Sequence, residues 1–226
     1  SANFIETCTV LTPECLKTAI QKAIPEFTKG IPELGINSTD PLAQERVDLV
    51  LPGNLRVLFY DGHVTGLRKC VVNSAKLENN EADINLHCNI TIKGKYQAKG
   101  RILIVTLNGD GDAKIKLNLL QGILIYVPAN VELTVKLSFE DKTRNGIDYY
   151  ELKNYAVKHK FGDKIVFTLT DLFKGNPEIT VLQFLNSNWR QIAEEFGTPI
   201  VEKVTNLAVD VIKKFFSVVP KNELFS

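Results

Sequence analysis

Methionine is missing from all 226 residues, cysteine occurs four times, histidine three times and tryptophan once. Each scarcity excludes something. With no methionine the chain has no initiator, so Ser1 is expected to follow a processing event, and a cleaved signal peptide fits best. The histidines give little room for general acid–base chemistry. His63 follows the turn-like pair Asp61-Gly62, His87 falls on the polar face of a strand, and His159 lies between Lys158 and Lys160, so all three read as surface residues. No G-x-S-x-G, H-E-x-x-H or Walker loop is present. Gly109-Asp110-Gly111 begins like a dinucleotide fingerprint, but Lys114 replaces the third glycine and a strand pattern follows where a helix is needed. Asn108, Asp110 and Asp112 begin like a calcium loop, but Ala113 and Leu119 stand where its sharp-turn glycine and bidentate glutamate belong.

Charge of one sign is also lacking. Lysine and arginine total 27 against 26 acids, a net charge of +1 with no basic block, so the electrostatic footprint of a nucleic-acid or anionic-membrane binder is missing. No apolar run reaches the roughly 18 residues of a membrane span; even the stretch from Ile123 to Val135 is interrupted by Pro128, Asn130 and Glu132. The exclusions leave a chain that is expected not to be an enzyme, with no metal, no cofactor, no nucleic-acid partner and no transmembrane anchor.

What is present is a long apolar helix pattern at the carboxyl end. From Asn188 to Phe216, Trp189, Ile192, Phe196, Ile200, Val204, Leu207, Val211, Ile212 and Phe215 recur in steps of three and four, as one buried helix face requires. Such a helix would be about 44 Å long, and an equally long element must cover it. Pro199 inside it is expected to bend it modestly. Asn176-Pro177-Glu178 reads as a helix start leading into it through Ile179, Leu182 and Leu185.

The cover is expected from strands between residues 46 and 170. Ile84, Leu86, Cys88, Ile90 and Ile92 alternate with polar residues, as do Val131, Leu133, Val135, Leu137 and Phe139, and Ala113, Ile115, Leu117 and Leu119. Period two with one wet face predicts long antiparallel strands. Asp61-Gly62, Asn79-Asn80, Asn108-Gly109, Asn145-Gly146 and Gly162-Asp163 read as turns between them. At the amino end, Thr12-Pro13-Glu14 supplies an N-cap, a first-turn proline and an acid before the apolar face Leu16, Ala19, Ile20, Ala23 and Ile24. Ile24-Pro25 and Gly30-Ile31-Pro32 end or bend that helix. A Cys8–Cys15 bond would staple the incoming chain to the helix start, at a contribution of about 2.5 kcal/mol. Cys70 and Cys88 flank the Asn79-Asn80 turn at similar distances and read either as a cross-strand disulfide or as two buried thiols. The sequons at Asn37 and Asn89, with the even cysteine count, favour an extracellular protein. No linker or repeat divides residues 1–226, so a single domain is expected.

Several segments together resemble the insect takeout and juvenile hormone binding protein family across essentially the whole chain: Cys8 with Cys15, Gly30-Ile31-Pro32-Glu33-Leu34-Gly35-Ile36, Asp40-Pro41-Leu42, Leu107-Asn108-Gly109-Asp110-Gly111, Asp171-Leu172-Phe173-Lys174-Gly175-Asn176, and Phe184-Leu185-Asn186-Ser187-Asn188-Trp189. The resemblance implies a Cys8–Cys15 disulfide and a secreted carrier of small lipophilic molecules, related to the tubular lipid-binding proteins. It implies an α+β fold in which a strongly curved antiparallel sheet wraps a long C-terminal helix, with an N-terminal helix and an internal hydrophobic tunnel. The hormone carriers are similar to one another in a second disulfide drawn from the later half of the chain, and here no cysteine follows Cys88. That departure favours the takeout branch.

The expected activity is therefore binding of a terpenoid, fatty-acyl or similar long apolar chain by a monomer. Each buried CH₂ is worth about 0.8 kcal/mol, enough for a ligand of about a dozen carbons to overcome the cost of association. Phe27, Val64, Leu86, Leu133, Leu137, Phe139, Trp189, Phe196, Ile200 and Val204 are the expected lining. Two other readings stay open: a membrane-surface or lipopolysaccharide-type lipid binder, and a secreted signalling or interaction protein with a filled core.

Overall fold

A computed structural model describes residues 7–51, 55–105, 112–162, 165–170 and 185–224, at some positions by backbone alone. Helix α1 (Pro13–Lys29) opens as its signals require: the Thr12 hydroxyl accepts from the Cys15 N–H at 3.2 Å, Pro13 occupies the first turn, and Glu14 adds a favourable charge there. It runs through Pro25 and stops at Gly30, whose φ of 95° no L-residue adopts without strain. Cys8 and Cys15 are bonded at 2.14 Å across the helix start. The Gly30–Ile36 motif is a tight loop closed by reciprocal Ile31–Ile36 backbone bonds.

The described strands form one eight-stranded antiparallel sheet: β1 (Leu42–Gln44), β2 (Val47–Leu51), β3 (Leu55–Thr65), β4 (Val71–Glu78), β5 (Glu81–Val105), β6 (Asp112–Arg144), β7 (Ile147–Phe161) and β8 (Val166–Thr170). At 25 and 33 residues, β5 and β6 far exceed the usual strand of about 3–10 and form the spine. Their first pairing, Glu81↔Ser138 to Ile90↔Ala129, carries β4 on one side and β7 on the other. Their second, beyond Ile92↔Tyr126, carries β3 and β8. Register shifts at Tyr60/His63, Val72/Ser74, Ile90/Ile92, Ala98/Gly100 and Ser138/Phe139 break strands that would otherwise be too long to stay flat. Bulges bend and twist a strand, and the sheet is curled into a half-barrel.

Two expected turns are two-residue hairpins with both central φ positive: Asn79-Asn80, between the pair Glu78↔Glu81, and Asn145-Gly146, between Arg144↔Ile147. Asp61-Gly62 is not a turn. The chain continues through it within β3 as a bulge, because the segments on both sides pair with the same strand, β5; the positive φ of Asp61 (51°) serves a bulge as readily as a turn. Asn108-Gly109, Gly109-Asp110-Gly111 and Asn176-Pro177-Glu178 lie outside the described residues, as do the side chains of Ala113, Ile115, Leu117 and Leu119.

The terminal helical segment is unbroken from Trp189 to Val218 but not uniform, and Val219 and Pro220 separate it from the last short helix. After residues 185–187 come α2 (Trp189–Ile192), a π-helical turn (Ala193–Gly197), α3 (Thr198–Val218) and α4 (Lys221–Leu224). A π turn lies immediately before Pro199, where a modest bend is expected. Proline cannot donate to the carbonyl four residues back and its ring crowds that carbonyl; widening the preceding turn removes the conflict. Among the described residues, no helix is long and apolar enough to cross a membrane.

Candidate functional site

The half of the sheet formed by β4, β5, β6 and β7 is roofed by two helices. Helix α1 lies over β4 and α3 over β7, the outer strands of this half. On the β4 side the joint is polar as well as apolar: Gln21 donates to the Cys70 carbonyl at 2.9 Å and accepts from the Val72 N–H at 2.8 Å, satisfying the first backbone groups of β4. Cys70 and Cys88 are bonded beside it at 1.97 Å, tying the start of β4 to β5. Asp40, within the Asp40-Pro41-Leu42 motif, is 4% exposed and accepts from the Arg68 N–H at 2.8 Å, the Gly66 N–H at 3.3 Å and the Arg68 Nε at 3.2 Å. That motif is a buried polar clamp, not a ligand contact.

Between the helices, the inner face of the sheet presents the cross-strand rows Val72–Leu86–Leu133–His159 and Ala75–Ile84–Val135–Val157. Ile24 of α1, Leu185, Trp189, and Val204 and Leu207 of α3 converge on the same apolar cluster as Leu86 and Leu133. Val72 at the sheet's outer row is sealed at 0% exposure. Leu86, Leu133, Ile24, Leu185, Trp189, Val204 and Leu207 face this cluster yet are only half-buried. They gather on one face without being fully covered by protein atoms.

At the far end of α3 the helices meet through aromatic rings. Phe27 of α1 lies edge-on to Phe215 at 5.1 Å, and Phe139, Tyr150 and Phe216 complete the cluster at 4.9 to 6.1 Å. This end of the helix is thus packed by rings.

The expected lining divides accordingly. Val64, Leu86, Leu133, Trp189, Ile200 and Val204 share one apolar cluster, Leu137 packs with Leu152 and Val209, Phe27 joins the aromatic end, and Phe139 bridges these last two groups. Val64 is fully enclosed and Leu137 is 3% exposed, whereas Leu86, Leu133, Trp189 and Val204 keep accessible surface. The backbone of Phe196 lies in the π turn; its side chain is outside the described residues. The Arg190 guanidinium sits 4.6 Å over the Trp189 ring. Asn37 and Asn89 have exposed side chains.

One functional-looking group escaped the sequence pattern. His159 is not a surface residue of a charged stretch: it alternates with Lys158 and Lys160 onto the inner face, beside Leu133, and its Nε2 lies 3.1 Å from the Thr198 hydroxyl. Its ring is edge-on to Phe161 at 5.3 Å. The period-two pattern of Val157, His159 and Phe161 carried the signal, and the flanking lysines concealed it. His63 is exposed, and His87 lies on the outer face against Asn73 at 2.8 Å.

Electrostatic coupling is seen at three surface ion pairs among the described residues. A hydrogen bond from Arg46 holds the Asp48 carboxyl below its ordinary range, and one to Asp61 raises Lys95. Partial burial works against the charge on Lys221, but hydrogen bonds to and charge attraction by Asp141 and Tyr150 together outweigh it and raise Lys221. Among the described residues, no three His, Cys, Asp or Glu side chains gather to hold a metal. A separate open basin of about 460 Å³ is lined by Lys142, Arg144, Glu151, Leu152, Lys213 and Ser217 at the β6–β7 hairpin.

The haemolymph juvenile hormone binding protein family matches residues 2–226. The chain belongs to that family. Its similarity to Takeout 1 of Epiphyas postvittana, known from a crystal structure, covers 98% of this chain and 100% of that one, with 31% identity and a TM-score of 0.81. It is 25% identical over 248 residues to the circadian clock-controlled protein daywake of Drosophila yakuba and 24% identical over 250 residues to that of Drosophila melanogaster, in each case across 98% of this chain and 86% of the relative. The haemolymph juvenile hormone binding protein family comprises binding proteins rather than enzymes, and its curled sheet with helices at both chain ends is the fold described above.

Proposed function

We propose that this protein is a secreted, monomeric, single-domain carrier that holds a small lipophilic ligand in the space between the inner face of β5 and β6 and the helices α1 and α3. The observation that carries the reading is the set of inward-facing apolar side chains that are not sealed: Leu86 and Leu133 below, Ile24, Val204 and Leu207 above, Trp189 at the side. An alkyl or terpenoid chain laid there gains about 0.8 kcal/mol per buried CH₂, and contacts this uniform make affinity largely non-directional. The family's haemolymph carriers supply the precedent. Secretion is supported by two disulfides and by the exposed sequons at Asn37 and Asn89, acceptor sites for glycans. No catalytic step is required of any residue.

Mass spectrometry of an organic extract of the folded, purified protein tests the carrier. A lipid in near-stoichiometric amount is the expected finding; repeated empty extracts, together with no binding of any fluorescent fatty acid, would overturn it in favour of an interaction protein with a filled core.

A second reading, attachment to an anionic lipid surface, is favoured by one observation. Lys142, Arg144 and Lys213 gather at the β6–β7 hairpin near the exposed Ile147 and Val218. Sedimentation with phosphatidylserine vesicles, lost in high salt, would support it; no sedimentation leaves the soluble carrier alone.

A further inference from the structure

We infer that His159 and Thr198 form the polar anchor of the chamber and select a ligand with a carboxyl group at one end, a fatty acid, over a bare hydrocarbon. The inference rests on the carrier reading above and adds the chemistry of the ligand's head.

His159 is a polar side chain on an apolar face. Its neighbours along β7 are Val157 and Phe161, its cross-strand partner is Leu133, and Ala193, Ile200 and Val201 belong to the same cluster as Phe161. Structure alone gives little reason for a histidine there, because a neutral side-chain hydrogen bond nets only about 1 kcal/mol and an aliphatic residue would bury more apolar surface. Helix geometry brings the partner hydroxyl to it. The π turn at Ala193–Gly197 adds to the helical turn immediately before Thr198, and such insertions are frequent at functional sites. Gly197, without a Cβ, admits the Phe161 ring against the helix: a Cβ there would meet Phe161 Cζ at 2.5 Å. With Phe161 seated in this gap, His159 and Thr198 come within hydrogen-bond distance across the sheet–helix joint.

The contact engages Nε2 and leaves Nδ1 without a protein partner among the described residues, whichever nitrogen carries the proton. A ring nitrogen beside Leu133 and Phe161 is matched by a carboxyl group, which can accept from it or donate to it, and a hydrocarbon matches it in neither state.

Fluorescence titration of the purified full chain with cis-parinaric acid and with diphenylhexatriene, a hydrocarbon probe, tests this. Replacement His159→Phe should weaken parinaric acid about tenfold and leave diphenylhexatriene within about twofold. His159→Gln, which keeps an N–H donor, should recover most of the loss, and Thr198→Val, which removes the hydroxyl partner, should fall between. Circular-dichroism melts confirm that each variant is folded, and any one folded variant decides the matter. Equal shifts for both probes, or none for either, would overturn the anchor and leave the carrier standing. If the unaltered protein binds neither probe, the carrier reading fails and the anchor falls with it.

Discussion

Helix α3 is packed by different chemistry at its two ends. Near Phe215 and Phe216 it meets Phe27, Phe139 and Tyr150 in a set of edge-on ring contacts, and Phe215 keeps only 2% of its surface. Near Thr198 it offers Ile200, Val201 and Val204 to the cluster of Leu86 and Leu133, beside His159, and several of these inward side chains remain accessible. Rings placed edge-to-face fill volume and fix orientation. Small and aliphatic residues offer no such interlocking. One helix thus serves as a plug at one end and as a wall at the other.

The sharpest way to break the comparison is at the plug. Phe215→Ala should cost about 3–5 kcal/mol, measured by urea unfolding; a loss below 1 kcal/mol would mean the aromatic end does not anchor the helix. At the wall, opening the Cys70–Cys88 bond by a double change to serine frees a separation of 18 residues and should cost about 3 kcal/mol by loop entropy. The Cys8–Cys15 bond spans only 7 residues and should cost less; equal losses would argue against loop entropy as the cause. Gly197→Ala sets a methyl group against Phe161 and should cost about 2 kcal/mol, with an unchanged melting temperature counting against the close approach. Leu133→Trp is the complement: it should lower affinity for a fluorescent fatty acid at least tenfold, about 1.4 kcal/mol, while changing stability less than Phe215→Ala does. The smallest effect is spectroscopic. Trp189 emission should shift when the chamber is loaded, and no change would remove that residue from the lining.

Much of this contrast was legible along the chain. The alternation from Ile84 to Ile92 and from Val131 to Phe139 marked the spine strands, because a half-buried strand can hide only every second side chain. Thr12-Pro13-Glu14 and Asn145-Gly146 act through their own backbone and so read correctly in isolation. Asp61-Gly62 did not, since a turn and a bulge ask the same φ of the chain and differ only in what the flanks pair with. The helix periodicity placed Phe215 and Ile200 on one face without distinguishing plug from wall, because burial period is the same for a filled interior and a hollow one. His159 was misread for a related reason. Its neighbours in sequence are lysines, whereas its neighbours in space are Leu133, Phe161 and Thr198.

The residues alone therefore determined the parts whose physics is local: where helices start, which strand faces are apolar, which cysteines can pair. Tertiary structure decided how far apart those apolar faces stand. Curling of the β5–β6 spine and the meeting of Phe27 with Phe215 set how helix and sheet face each other, and each depends on groups far apart in sequence. Side-chain polarity fixes which surfaces leave water; only the balance of long-range packing fixes whether anything fills the gap between them.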